Sequence, residues 1–216
     1  PTSLKTRFRA AGQQILRVDD EMTSAIGTGA QQALCEKVNS VIASTDMLAL
    51  SDYAKGCLAE TVIKQLIGAA RAAKKLIVAD PKATDLSVYA DVDILTPNLQ
   101  ELSKFSETSP TDLDTIGATA TRLAKTHNIG TIVTTLSARG ILASSADGTQ
   151  FHDPAKTRDV FDVSGAGDTV VAVITAAIAS GVNLEEAVAL ANHAAGVAVS
   201  KSGTAIVTPG EILANL

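Results

Sequence analysis

An α/β fold built on a mostly parallel sheet flanked by helices is what this sequence predicts. Three observations carry it. From Thr28 onward helical patterns alternate with short apolar runs, polar residues recur directly after those runs, and a glycine-rich turn opens a long apolar helix near the end of the chain.

The apolar runs Met47–Leu50, Leu76–Ala79, Asp93–Thr96 and Thr131–Thr135 have the length and composition of buried strands. A helical pattern over Leu58–Ala73 joins the first two. Another over Asp112–His127, with Ser109-Pro110 at its start, joins the last two, so the segments read as successive βα units. After Thr135 the pattern changes: the stretch from Gly140 to Thr149 contains Asp147-Gly148, a hairpin signal, and antiparallel strands should follow. Two helices close the chain, one running from the glycine-rich turn through Ala179 and one from about Leu184 to Ser200. At the front, Lys5 to Asp20 reads as extended chain with a turn at Gly12. The sequence opens at Pro1 without a methionine, which reads as a chain entered in mid-domain.

Composition narrows the function. The 216 residues are 46% hydrophobic and 19% charged, enough to bury a core as one domain. Eighteen Lys and Arg against 23 Asp and Glu give a net charge of -5 with no long run of one sign, which argues against a nucleic-acid or membrane-surface partner. Cys35 and Cys57 fall in helical patterns with no CxxC pairing, so neither a zinc site nor a disulfide framework is indicated. The run Val170–Ala179 is too short to span a bilayer, and no signal-like segment opens the chain; a cytoplasmic protein is expected.

In open parallel sheets ligands bind beyond the carboxyl ends of the strands. The polar residues found there are Ser51-Asp52, Asp80-Pro81-Lys82, Asn98 with Glu101, Ser137 with Gly140, and the turn Gly165-Ala166-Gly167-Asp168. Taken singly, each has a plain reading as a cap or turn residue. The last turn is neither a Walker A loop, which needs Lys-Ser/Thr after its final glycine, nor a dinucleotide fingerprint, which needs a third glycine. It combines an anion cradle with a carboxylate. An anion would be repelled by Asp168, so the pattern suggests a proton acceptor held beside a phosphate.

The run Asp162-Val-Ser-Gly-Ala-Gly-Asp168-Thr resembles the signature of the ribokinase-like (PfkB) carbohydrate kinases. "DPKATDLSVYADVDILTPNLQEL", "ANHAAGVAVSKSGTAIVTPGEI" and the opening "PTSLKTR" are similar to the heptose 7-phosphate kinase domains of the bacterial ADP-heptose pathway. That resemblance implies a ribokinase-like fold and transfer of the γ-phosphoryl group of ATP to the anomeric hydroxyl of D-glycero-β-D-manno-heptose 7-phosphate, with Mg2+. It makes Asp168 the catalytic base and the N–H groups of Gly165, Ala166 and Gly167 the anion hole. The N-x-x-E run Asn98-Leu99-Gln100-Glu101 faces the nucleotide phosphates, with Glu101 and Asn98 toward the metal. Ser137 and Gly140 fall on the nucleotide side, as does Asn192, for which a helix-surface amide is the alternative. Lys82 meets a phosphate or stays solvated. His127, His152 and His193 are assigned surface or packing roles.

The chain departs from the pattern at Ala83, Gln100 and Ala138, where glycine, serine and an acid are usual. The resemblance also implies a single kinase domain over 1–216, the C-terminal two-thirds of a larger unit whose early strands carry much of the sugar site. The intact protein is expected to be a homodimer. The alternatives are another PfkB sugar or sugar-phosphate kinase, or a nucleotide-binding fragment without turnover.

Overall fold

A computed structural model describes residues 2–10, 13–106, 108–156 and 160–216. The expected turn at Gly12 lies outside the described residues. On either side of it, β1 (Leu4–Ala10) and β2 (Gln13–Asp20) pair antiparallel as a two-stranded sheet of their own.

The main sheet has six strands in the order β3 (Met47–Ser51), β4 (Leu76–Asp80), β5 (Ile94–Leu95), β6 (Thr131–Thr135), β7 (Ile141–Ser145) and β8 (Gln150–Asp153). Neighbours from β3 to β6 run parallel, and β7 and β8 are antiparallel to their neighbours, as the hairpin signal predicts. Asp147 accepts the Thr149 N–H at 2.8 Å, and Gly148 takes φ +100, a value that L side chains rarely adopt.

Strand alternation sends side chains to two apolar layers. Ile77, Ala79, Leu95, Ile132 and Leu142 pack in one cluster with α2 (Glu60–Ala72), α3 (Leu99–Lys104) and α4 (Leu113–Thr126). Val78, Ile94, Val133, Ile141 and Ala143 face the opposite way, onto α5 (Ala166–Ala179) and α6 (Leu184–Val199). The central strands are therefore covered on both faces, which is why they read as unbroken apolar runs. The first helix, α1 (Thr28–Val41), adds Cys35 to the first layer. The last, α7 (Pro209–Leu213), opens on a Thr208–Glu211 capping box. Among the described residues no helix is long and apolar enough to cross a membrane.

Strand β5 and the Cys57 loop depart from the sequence reading, beyond shifts of one or two residues at helix ends. Strand β5 is two residues long instead of four, since Pro97 has no N–H to extend the ladder, although Asp93 and Thr96 still donate to Ile77 and Ala79. Cys57 is not helical: it is exposed in the loop ahead of α2, where Gly56 turns the chain at φ +77 against the backbone of Ser24.

Candidate active site

Four strand ends build one cleft of about 220 Å³, lined by Tyr53, Asp80, Lys82, Thr96, Asn98, Glu101, Thr135, Gly167 and Asp168. Each wall follows from local chemistry. Strand β4 ends on Asp80, and Pro81 stops the ladder there, so Lys82 turns back over the strand end. Its backbone is anchored from below. Tyr89, fully buried, accepts the N–H groups of Lys82 and Ala83 at 3.0 and 3.1 Å and donates to Asp52 at 2.8 Å, which uses every hydrogen-bonding site of the phenol.

The Asn98-x-x-Glu101 run forms a reciprocal cap on α3. Asn98 Oδ1 accepts the Glu101 N–H and Glu101 Oε2 accepts the Asn98 N–H, both at 2.9 Å. Glu101 is thus an acid in the first turn of α3 as well as half of its cap, and its Oε1 is left turned toward the cleft, where it meets the Lys82 ammonium at 2.6 Å. Lys82 also lies 3.3 Å from Asp80 Oδ2. The side chain is half-buried, and its ammonium bridges the two carboxylates.

Burial pushes the Asp80 carboxyl up to about 6; the charges of Glu101 and Asp168 add to that, while Lys82 pulls the other way. Lys82 itself is held above its ordinary value: burial lowers it, but the bond to Glu101 and the Asp80 charge outweigh burial. An acid raised in the folded state binds the extra proton in that state, so its contribution to stability is present below the ordinary 3.8 and is lost as pH rises through about 6. Asp80→Asn should therefore gain on the wild type by on the order of 2 kcal/mol between about pH 4 and about pH 8. Urea unfolding of both proteins across that range measures it; parallel curves would show that Asp80 titrates normally.

The glycine-rich turn is pinned from its first acid. Asp162 accepts the N–H groups of Ser164 and Gly203 at 2.9 and 3.1 Å, tying the turn to the segment after α6. Gly165 then takes φ +84 at the N-cap of α5, a conformation that favours glycine. Asp168 follows in the first helical turn and is exposed toward the cleft. Helix geometry leaves the N–H groups of Gly167 and Asp168 without acceptors inside α5. The Ala166 N–H donates to the Val163 carbonyl at 3.3 Å, so of the three amides expected in an anion hole this one is turned into the loop.

The structure thus brings Asn98, Glu101, Gly167 and Asp168 together and sorts the remaining candidates elsewhere. Leu99 packs against the larger apolar cluster, and Gln100 is exposed outside the cleft lining. Ser137 and Gly140 bound the short turn between β6 and β7. Asn192 is buried, not on the helix surface. Its Nδ2 donates to the Asp153 carboxylate at 2.6 Å and to the carbonyls of Asp153 and Pro154 at 3.1 and 2.8 Å. His152 Nε2 lies 2.8 Å from the Arg139 carbonyl, tying β8 to the same turn. Tyr53 and the Lys82 bridge are what sequence reasoning missed. The available signal was position alone, since Tyr53 stands just beyond Ser51-Asp52 at a strand's carboxyl end.

Residues 1–210 match the pfkB family carbohydrate kinase family. The chain is 41% identical over 215 residues to Bifunctional protein HldE of Paramagnetospirillum magneticum, a match covering 100% of this chain and 44% of that protein. To Bifunctional protein HldE of Azorhizobium caulinodans it is 39% identical over 216 residues, covering 100% of this chain and 45% of that protein. The chain thus spans less than half the length of these relatives. Among solved structures, phosphofructokinase-2 from Escherichia coli in complex with potassium superposes with a TM-score of 0.80 at 20% identity, over 92% of this chain and 65% of that one. Arabidopsis thaliana ribokinase complexed with ribose and ATP gives 0.76 at 17% identity, over 99% of this chain and 68% of that one. At such identities the likeness establishes the fold, which is ribokinase-like. With that fold, the acid-bearing glycine turn in its cleft and a family match over nearly its whole length, the chain belongs to the pfkB carbohydrate kinases.

Proposed function

We propose that this chain carries the phosphoryl-transfer site of an ATP-dependent sugar kinase acting on D-glycero-β-D-manno-heptose 7-phosphate to give the 1,7-bisphosphate. The observation that carries the reading is the meeting of Asp168 and Glu101, each in the first turn of its helix, in one cleft beyond the carboxyl ends of the parallel strands. Kinase membership implies ATP as donor, and the similarity to the HldE proteins supports the heptose.

Asp168 accepts the proton of the attacking sugar hydroxyl. The free amides at the start of α5, with the helix dipole behind them, hold charge that spreads over the transferring phosphoryl oxygens. Gly140 and Asn192 shape the nucleotide side through the Asp153–Pro154 segment they abut, and Ser137 does so from the same turn as Gly140.

Magnesium fits the residues present. Carboxylate oxygens are the donors it takes, and Glu101 and Asp80 already hold one cation, the Lys82 ammonium, between them. Among the described residues no three His, Cys, Asp or Glu side chains converge to hold a metal, so nucleotide oxygens and water must complete its shell. Glu101 would hold it, with Asn98 fixing the Glu101 carboxylate. When bound, the ion would neutralise charge on the nucleotide phosphates. Glu101→Gln is therefore expected to raise the magnesium concentration for half-maximal rate, and Asn98→Ala to do so more weakly; an unchanged magnesium dependence in both would remove the assignment.

We read residues 1–216 as one kinase domain of a cytoplasmic homodimer, with a small sugar phosphate as partner and neither nucleic acid nor membrane. The even charge supports the last point, and the exposed Phe8, Leu16 and Val18 on the small sheet support the dimer. The deciding experiment is a coupled assay of the intact protein against a panel of sugars and sugar phosphates with Mg-ATP. Highest kcat/KM on the heptose 7-phosphate is expected. Preference for another sugar would overturn the substrate, and no sugar-dependent turnover would overturn the kinase reading.

A further inference from the structure

One contact in the cleft is left unused by this account of phosphoryl transfer. The Tyr53 hydroxyl donates to Asp168 Oδ1 at 2.6 Å, joining residues 115 apart in sequence. We propose that Tyr53 is the positioning residue of the catalytic base: its hydroxyl fixes the rotation of the Asp168 carboxylate and leaves Oδ2 to take the proton of the sugar hydroxyl. This inference rests on the reading of Asp168 as the base.

The loop is built to aim the phenol. Asp52 is buried, accepts the Tyr89 hydroxyl on Oδ2 and takes the Ala54 N–H on Oδ1 at 2.9 Å, while Ala54 adopts φ +50. The segment between β3 and α2 is thus locked on both sides of Tyr53, and the ring is thrown out over the mouth of the cleft. Its 55% exposure means that the side chain is not there to fill the core.

Electrostatics explain why a neutral donor suits the position. Asp168 is faced by Tyr53 from the end of β3, by Asp80 and Lys82 from the end of β4, and by Glu101 from α3. A second cation here would pair with the phosphates and compete with the reaction, whereas a phenol donates one directed bond and carries no charge. An aspartate in a first helical turn can also fold back onto the free amides of its own helix. Among the described residues no backbone N–H donates to the Asp168 carboxylate, and Tyr53 holds it away from them. Those amides are then left for the phosphoryl group. The bond to Asp168, chiefly, raises the phenol above its ordinary value, so it stays a donor at neutral pH.

The test uses the intact protein and two readouts. Tyr53→Phe should lower kcat roughly ten- to a hundredfold, the range of one hydrogen bond to a charged acceptor, with KM for ATP kept within about twofold. Independently of activity, a difference titration of phenolate absorbance between the wild type and Tyr53→Phe isolates the ionisation of Tyr53. It should lie above the ordinary value for a phenol and fall to lower pH in Asp168→Ala. If Asp168→Ala keeps its turnover, the base assignment fails and the positioning role fails with it. If Asp168→Ala is dead but Tyr53→Phe keeps its kcat, or the phenol step does not move, only the positioning role is overturned.

Discussion

Asp168→Asn in the intact protein should lower kcat by at least about two orders of magnitude while ATP affinity changes little, the usual scale for losing a general base. The amide has nearly the shape of the carboxylate and can still receive the Tyr53 hydroxyl, so the wall of the cleft survives. What disappears is the proton acceptor. The side chain is exposed and bears no fold, so a change in melting temperature should be small. In the proposed reading nucleotide contacts fall to the first-turn amides of α5 and to Glu101, neither of which this substitution removes. Single-turnover kinetics beside calorimetric ATP binding separates the effects. A variant that keeps most of its turnover would reduce Asp168 to a helix-terminus acid.

Gly140→Ala should destabilise the protein by about 3 kcal/mol or more, for two reasons that add. At φ +89 and ψ -137 the backbone occupies a region that L side chains avoid. A Cβ built there would also stand 2.1 Å from the Asp153 carbonyl oxygen and 2.6 Å from the Ala155 nitrogen. The obstructing segment cannot retreat cheaply, since the two N–H groups of Asn192 Nδ2 are shared among three oxygens of Asp153 and Pro154 and Lys156 pairs with Asp153 at 2.7 Å. A fall in Tm of about 10 °C is the corresponding thermal readout for a protein of this size. The measurement also separates two accounts of this glycine. Loss of stability with nucleotide KM intact in the folded fraction makes Gly140 a packing residue of the turn; an unchanged Tm with a raised ATP KM would make it a nucleotide contact instead.

The parts of the site that were legible share one property: their interactions are local. Asn98 and Glu101 cap one another across three residues, and the spacing alone announces the box. Asp168 belongs to its own glycine turn, whose left-handed Gly165 and free amides follow from the residue types. Asp147-Gly148 makes its hairpin turn for the same reason. Where the sequence reading stopped short, the deciding partner was remote. Lys82 could be assigned neither to phosphate nor to solvent, because Glu101 is 19 residues away and reaches it only through the pairing of β4 with β5. Asn192 looks like any helix amide until α6 is laid against the end of β8. Cys57 falls in a helical pattern because nothing in its neighbourhood reveals that Ser24 stands against Gly56.

By itself, then, the sequence determined the βα order, the antiparallel hairpin after Thr135, the reciprocal cap on α3 and the acid-bearing turn of α5, since period, turn chemistry and capping act within a few residues. Tertiary structure alone decided that Tyr53 holds Asp168, that Lys82 bridges Asp80 and Glu101, and that Asn192 is buried against Asp153. Strand order is the cause. Setting β3, β4, β5 and β6 side by side brings their carboxyl ends, and the polar residues beyond them, to one edge. Only there do carboxylates far apart in the chain come close enough for burial and mutual repulsion to raise Asp80, while hydrogen bonds and a cation keep the others in place.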